Sequence, residues 1–102
     1  MTKNNQSTEV VSFSSVWDAL GDTPAEAENM RIRADLMKEI REFVKRHNLT
    51  QVQAAKYCQV TAPRMSDLMN GRISKFSIDA LVNMAASAKL KVSVAVQEEA
   101  SA

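Results

Sequence analysis

The stretch LTQVQAAKYCQVTAPRMSDLMNG, from Leu49 to Gly71, decides the fold. It contains two short helical patterns, each opened by a threonine. Thr50 is the N-cap of the first, and Gln53 three residues later completes a capping box, in which each side chain satisfies a backbone N–H of the other's position. Thr61 caps the second, with Val60 and Met65 spaced as a hydrophobic staple; Pro63 is tolerated because first-turn N–H groups have no partner inside the helix. The first helix should reach Tyr57 or Cys58, which leaves only a tight turn between the two. Ala54, Ala55, Cys58, Val60, Met65 and Leu68 fall on the faces that meet, and the two small alanines let the helices approach closely. Cys58 is therefore expected in the core.

Two capped helices across such a turn, the second polar outside and followed by basic residues, form the signature of a helix-turn-helix that reads DNA. In that arrangement the first helix crosses the DNA backbone and the second enters the major groove. The outward face of the second helix comprises Ala62, Pro63, Arg64, Ser66, Asp67 and Asn70. Arg64 is the strongest candidate for reading sequence, since a guanidinium bonds guanine O6 and N7 bidentately; a phosphate contact is its competing role. Asp67 either accepts from cytosine N4 or orients Arg64 at i,i+3. Gln51, Thr61, Ser66, Arg72 and Lys75 suit phosphate contacts, which set register without carrying sequence information.

The charge distribution agrees. The 102 residues carry a formal net charge of +1, which alone says nothing about nucleic acid. Residues 49–76, however, set Lys56, Arg64, Arg72 and Lys75 against the single acid Asp67, so the positive excess lies in and just after the central stretch. With 2 Gly, 2 Pro, and many Ala, Met, Lys, Arg and Glu, the chain reads as mostly helical and long enough for one domain. Its one cysteine makes no internal disulfide, and its one histidine, His47, leaves little material for a metal site or a Ser-His or Cys-His centre. No metal, no cofactor and no enzymatic activity are expected. No apolar run approaches the roughly 20 residues of a membrane span, and the first residues lack the pattern of a secretory signal. A cytoplasmic, nucleoid-associated location is expected.

Outward from the central stretch, residues 1–22 read as a flexible arm with a short helix near Ser15 to Gly21. Phe13, Val16, Trp17 and Leu20 form an apolar cluster on it, suited either to folding back or to docking a partner. The domain proper, residues 23–90, opens with Thr23-Pro24-Ala25-Glu26, an N-cap, a proline at the first helical position and a capping-box glutamate. That helix should run to about His47, with Met30, Leu36, Met37, Ile40, Phe43 and Val44 on its apolar face and a solvated charged face opposite. Ser77 starts the last helix, with Phe76 and Leu81 as its staple and Leu81, Met84, Ala85 and Ala88 buried. Residues 91–97 switch to alternation, with Val92, Val94 and Val96 on one side, a β-strand pattern. A lone strand needs a mate, and the same strand of a second copy across a two-fold axis is the simplest one. Residues 98–102 read as a disordered tail.

The block TQVQAAKYCQVTAPRMSDLMNG resembles the Xre-type, Cro/repressor-like helix-turn-helix, and the continuation GRISKFSIDALVNMAASAKLKVSVAV is similar to the HigA-type antitoxin branch of that family. The shared points are Gln51, Ala54-Ala55, Val60, the run Pro63 to Leu68, Gly71 and Phe76-Ser77. Two positions depart from the pattern. Gln59 stands where the turn usually has glycine, and must hold a left-handed backbone at a cost of about 1 kcal/mol or more. Ala62 stands where glutamine is frequent, so one base contact is lost or becomes an apolar contact with a thymine methyl.

The fold expected is thus all-α, a lambda-repressor-like domain of about five helices with a short C-terminal dimerisation strand. The resemblance implies a homodimeric repressor of an inverted-repeat operator, and an antitoxin that neutralises a RelE/HigB-like toxin and autoregulates the operon of the pair. Two alternatives stay open: a module that neutralises a toxin without reading DNA, and a stand-alone Xre-type regulator. An RNA-binding role fits less well, because the few aromatics are assigned to core or arm rather than to a stacking platform.

Overall fold

A computed structural model describes residues 23–98. The N-terminal cluster of Phe13, Val16, Trp17 and Leu20, with its expected short helix, lies outside the described residues, as do residues 99–102. Among the described residues four α-helices follow one another: α1 (Pro24–Arg46), α2 (Gln51–Cys58), α3 (Ala62–Met69) and α4 (Ile78–Ser87), with a 3-10 turn at Ile73–Lys75 between the last two.

Each helix starts where its cap residue stands. Thr23 Oγ1 accepts from the Glu26 N–H at 3.1 Å while Glu26 Oε1 accepts from the Thr23 N–H at 2.9 Å. Thr50 and Gln53 repeat the box at 3.1 and 2.9 Å. Thr61 accepts from the Arg64 N–H and Ser77 from the Ala80 N–H. Such caps satisfy donors that the first turn leaves free, at about 1 kcal/mol each.

The four helices also end alike. After each one, a residue with positive φ reverses the chain: Asn48 at 53°, Gln59 at 58°, Gly71 at 74° and Lys89 at 69°. In every case this residue donates to the carbonyl three back, and its successor donates to the carbonyl five back, as in Leu49 to Val44, Val60 to Ala55, Arg72 to Asp67 and Leu90 to Ala85. That is the Schellman motif, which satisfies the last orphan carbonyls. Apolar pairs close three of the four; at the end of α3 the corresponding pair is Arg72 and Asp67, an ion pair at 3.6 Å.

The core lies between α1 and α4, with α2 and α3 packed against each other and against that pair. Met37, Ile40, Phe43 and Val44 of α1 meet Ala54, Ala55 and Cys58 of α2, Met65 and Leu68 of α3, Phe76, and Leu81, Met84, Ala85 and Ala88 from α4 and its end. Met30 departs from the expected face, being 36% exposed, whereas Leu36 is half-buried and packs against the core. The reason is length. Twenty-three residues of helix reach about 34 Å, and the eight-residue helices about 12 Å, so the first turns of α1 overhang the core. The charged face of α1 is mostly solvated, as expected, and Arg31 there bridges Glu28 at 2.7 Å and Asp35 at 3.2 Å.

The C-terminal strand is not formed. Among the described residues there is no strand, and residues 91–98 carry no regular structure. Val92 packs against the core, whereas Val94 and Val96 are 84% and 89% exposed. The physical reason is that a strand exists only through a hydrogen-bonded neighbour, and a single copy of this chain offers none. No helix among the described residues is long and apolar enough to cross a membrane.

Candidate nucleic-acid interface

The face that α2 and α3 leave to solvent begins at their first turns. On α2, Gln51 and Val52 are exposed; on α3, Thr61, Ala62 and Pro63 are exposed, followed by half-buried Ser66 and exposed Asn70. Met65 and Leu68 on the opposite side are wholly buried, which fixes α3 rotationally and presents its first turn outward. The turn before it depends on Gln59, whose left-handed backbone (φ 58°, ψ 47°) gives the angle between the helices. The side-chain-bearing residue at this position holds the conformation usually given to glycine.

After α3 the chain runs through Gly71 into the 3-10 turn, which carries the flanking cations. Arg72 and Lys75 both lean on Asp67, with Arg72 Nε at 3.6 Å and Lys75 Nζ at 3.7 Å from its carboxylate oxygens. Their side chains stay more than half exposed, so both remain available to a phosphate. Asp67 thus pairs with these two cations and not with Arg64, the i,i+3 partner considered from the sequence.

Arg64 is placed unexpectedly. It is half-buried, its Nη1 donates to the Lys75 carbonyl at 2.9 Å, and its guanidinium carbon sits 4.2 Å from the centroid of the buried Phe76 ring. A second arginine that sequence reasoning passed over works beside it. Arg33 of α1 donates through Nη1 to the carbonyls of Ile73 at 3.0 Å and Phe76 at 3.4 Å, while its Nε donates to Asn29 Oδ1 at 2.7 Å. Two arginines from different helices therefore hold three carbonyls of one short loop. The only available sign was an arginine near the buried stripe of α1.

Of the other expected residues, Cys58 is in the core, and burial pushes its thiol pKa up. Val94 and Val96 stand far from the α2–α3 face in sequence and free of the core, and Val92 is tucked against it.

A buried two-helix lock, an outward first turn on the second helix and exposed cations directly after it make this a helix-turn-helix, the fold of DNA-binding regulators. The chain belongs to the helix-turn-helix domain family, whose model matches residues 19–97, most of its length. No curated protein matches the chain.

Proposed function

We propose that this protein is a sequence-specific DNA-binding repressor that acts as a homodimer on an inverted-repeat operator. The observation that supports it most is the outward first turn of α3, Thr61-Ala62-Pro63, set beside Arg72 and Lys75. Gln51, Thr61, Ser66, Arg72 and Lys75 would bind phosphates while Ala62 and Pro63 meet base edges in the major groove. Binding to the protein's own promoter fragment and to scrambled DNA, compared at physiological salt, tests this. Marked preference for the promoter is expected; equal affinity sinks the reading.

We further propose that it is the antitoxin of a type II toxin–antitoxin pair, neutralising a RelE/HigB-like ribonuclease toxin and repressing the operon that encodes both. This rests on the residue pattern from Gln51 to Ser77 that it shares with the HigA-type branch. The toxin-docking segment proposed is the one with Phe13, Val16, Trp17 and Leu20, an apolar cluster suited to docking a partner. Co-expression with the product of the neighbouring gene tests the role: rescue of growth by the full chain and loss of rescue on deleting residues 1–22 are expected. A neighbour that is harmless when expressed alone leaves the stand-alone regulator as the better reading.

A further inference from the structure

The strongest base-reading side chain on α3 is already engaged inside the protein. Reading guanine requires Arg64 to present two coplanar N–H donors to the groove. In the structure one end of the guanidinium donates to the Lys75 carbonyl at 2.9 Å and its carbon Cζ lies over the Phe76 ring, 4.2 Å from the centroid. Turning outward would give up both contacts and uncover a ring that is 2% exposed. What those contacts hold is the loop that carries the phosphate-facing cations. Lys75 offers the carbonyl, Phe76 follows it, and Arg33 grips the same loop through Ile73 and Phe76. The side chains of Arg72 and Lys75 sit only 3.6 and 3.7 Å from Asp67, long contacts for ion pairs, so they are aimed but not locked.

We infer that Arg64 is a positioning residue and not a base reader: it fixes the 72–76 loop so that Arg72 and Lys75 meet the DNA backbone. Base reading then falls on the exposed first turn of α3. Ala62 and Pro63 form an apolar surface that fits a thymine methyl group, and the Thr61 hydroxyl, used as a cap, is turned to the Arg64 N–H. Ser66, half-buried on the next turn, accepts from Asn70 Nδ2 at 3.4 Å and keeps its phosphate-facing role. The inference rests on the DNA-binding reading above and assigns roles within it.

The three roles open to Arg64 predict different behaviour in one experiment. Wild type, Arg64→Ala, Arg64→Lys and Ala62→Gln are titrated with the promoter operator, each of its single-base-pair variants and random DNA, over a salt series. For a positioning residue, Arg64→Ala weakens binding to every sequence by the same factor. Its plot of log affinity against log salt flattens by about 2 for each bound protomer, one unit for each phosphate contact misplaced. Arg64→Lys behaves the same way, because a single ammonium cannot both lie over Phe76 and reach the Lys75 carbonyl as the forked guanidinium does. Ala62→Gln does the opposite, changing base preference while leaving the salt slope alone. Loss of discrimination at one base pair in Arg64→Ala overturns the inference in favour of a reader. Rescue by Arg64→Lys, with a slope change of about 1 for each bound protomer in Arg64→Ala, overturns it in favour of a direct phosphate contact.

A second readout needs no DNA. In the free protein, amide resonances from Ile73 to Ser77 should shift in Arg64→Ala while those of the first turns of α1 stay in place; an unmoved loop overturns the inference. A wild-type chain with no sequence preference overturns the DNA-reading function instead, and the loop spectrum then decides the role of Arg64 by itself.

Discussion

The Arg64 guanidinium lies 4.2 Å from the Phe76 ring centroid, and one residue before that ring it bonds the Lys75 carbonyl. Phe76 is thus a staple residue of α4, a core side chain and the platform for a cation on α3. One substitution touches all three.

Phe76→Leu keeps an apolar side chain in the core but removes the π face beneath Arg64. We predict a loss of about 1–2 kcal/mol in urea denaturation, from reduced packing and from the cation–π contact. A double-mutant cycle with Arg64→Ala isolates the second part, expected at about 0.5–1 kcal/mol of coupling. Additive single and double variants would show that the stacking contributes nothing.

Gln59→Gly should stabilise the protein. Gln59 holds φ at 58° with an exposed side chain, and the strain it carries between α2 and α3 is what glycine removes. The expected gain is about 0.5–1 kcal/mol, since relief of the left-handed penalty is partly offset by the greater freedom of glycine in the unfolded chain. Lys89→Gly, at the end of α4, should give a similar gain, whereas Gly71→Ala should lose stability, its φ being 74°. A lower urea midpoint for Gln59→Gly would mean that the glutamine side chain makes a compensating contribution.

The legible parts of this fold are those that depend on residues three to five apart. Thr23, Thr50, Thr61 and Ser77 each announce a helix start because a cap acts within one turn. Ala54, Cys58, Met65 and Leu68 follow from the same local spacing. The left-handed ends at Asn48 and Lys89 carry no glycine to mark them, and only Gln59 stood out, through the resemblance. Arg33 was not legible as a loop anchor because its carbonyl partners lie 40 and 43 positions away. Arg64 misled for a related reason: composition and helical position describe which groups it can bond, while the Lys75 carbonyl 11 residues on claims one of them first. The strand at Val92 to Val96 could not appear, since alternation specifies a face and only a partner makes a ladder.

Cys58 gives a pH-dependent handle. Its side chain is 2% exposed, and burial raises the thiol pKa above the ordinary value. A group whose folded pKa is raised contributes stability that is complete below the unfolded value and is lost as pH climbs through the folded one. The protein should therefore lose stability as pH rises beyond about 8.5, the unfolded thiol value, and Cys58→Ala should flatten that part of the profile. The thiol should also react slowly with a thiolate-specific reagent at neutral pH until urea unfolds the chain. Rapid labelling of the folded protein would contradict the buried, protonated thiol.

The C-terminal valines test whether the domain works alone or in pairs. Val94 and Val96 project 84% and 89% exposed, alternating with Ser93 and Ala95, a pattern suited to an unmade sheet. On the proposal that two copies pair here, Val94→Glu with Val96→Glu places like charges directly across the two-fold axis and should convert a dimer to a monomer in sedimentation. The urea midpoint of the helical domain, read at a concentration where wild type is monomeric, should not move, because neither side chain packs on the core. Binding to the full inverted repeat should fall to that of an isolated half-site, since the half-sites, about 34 Å apart, are then engaged independently. A wild-type chain that sediments as a monomer at micromolar concentration, or a double variant that stays dimeric, would place the two-fold contact elsewhere or remove it.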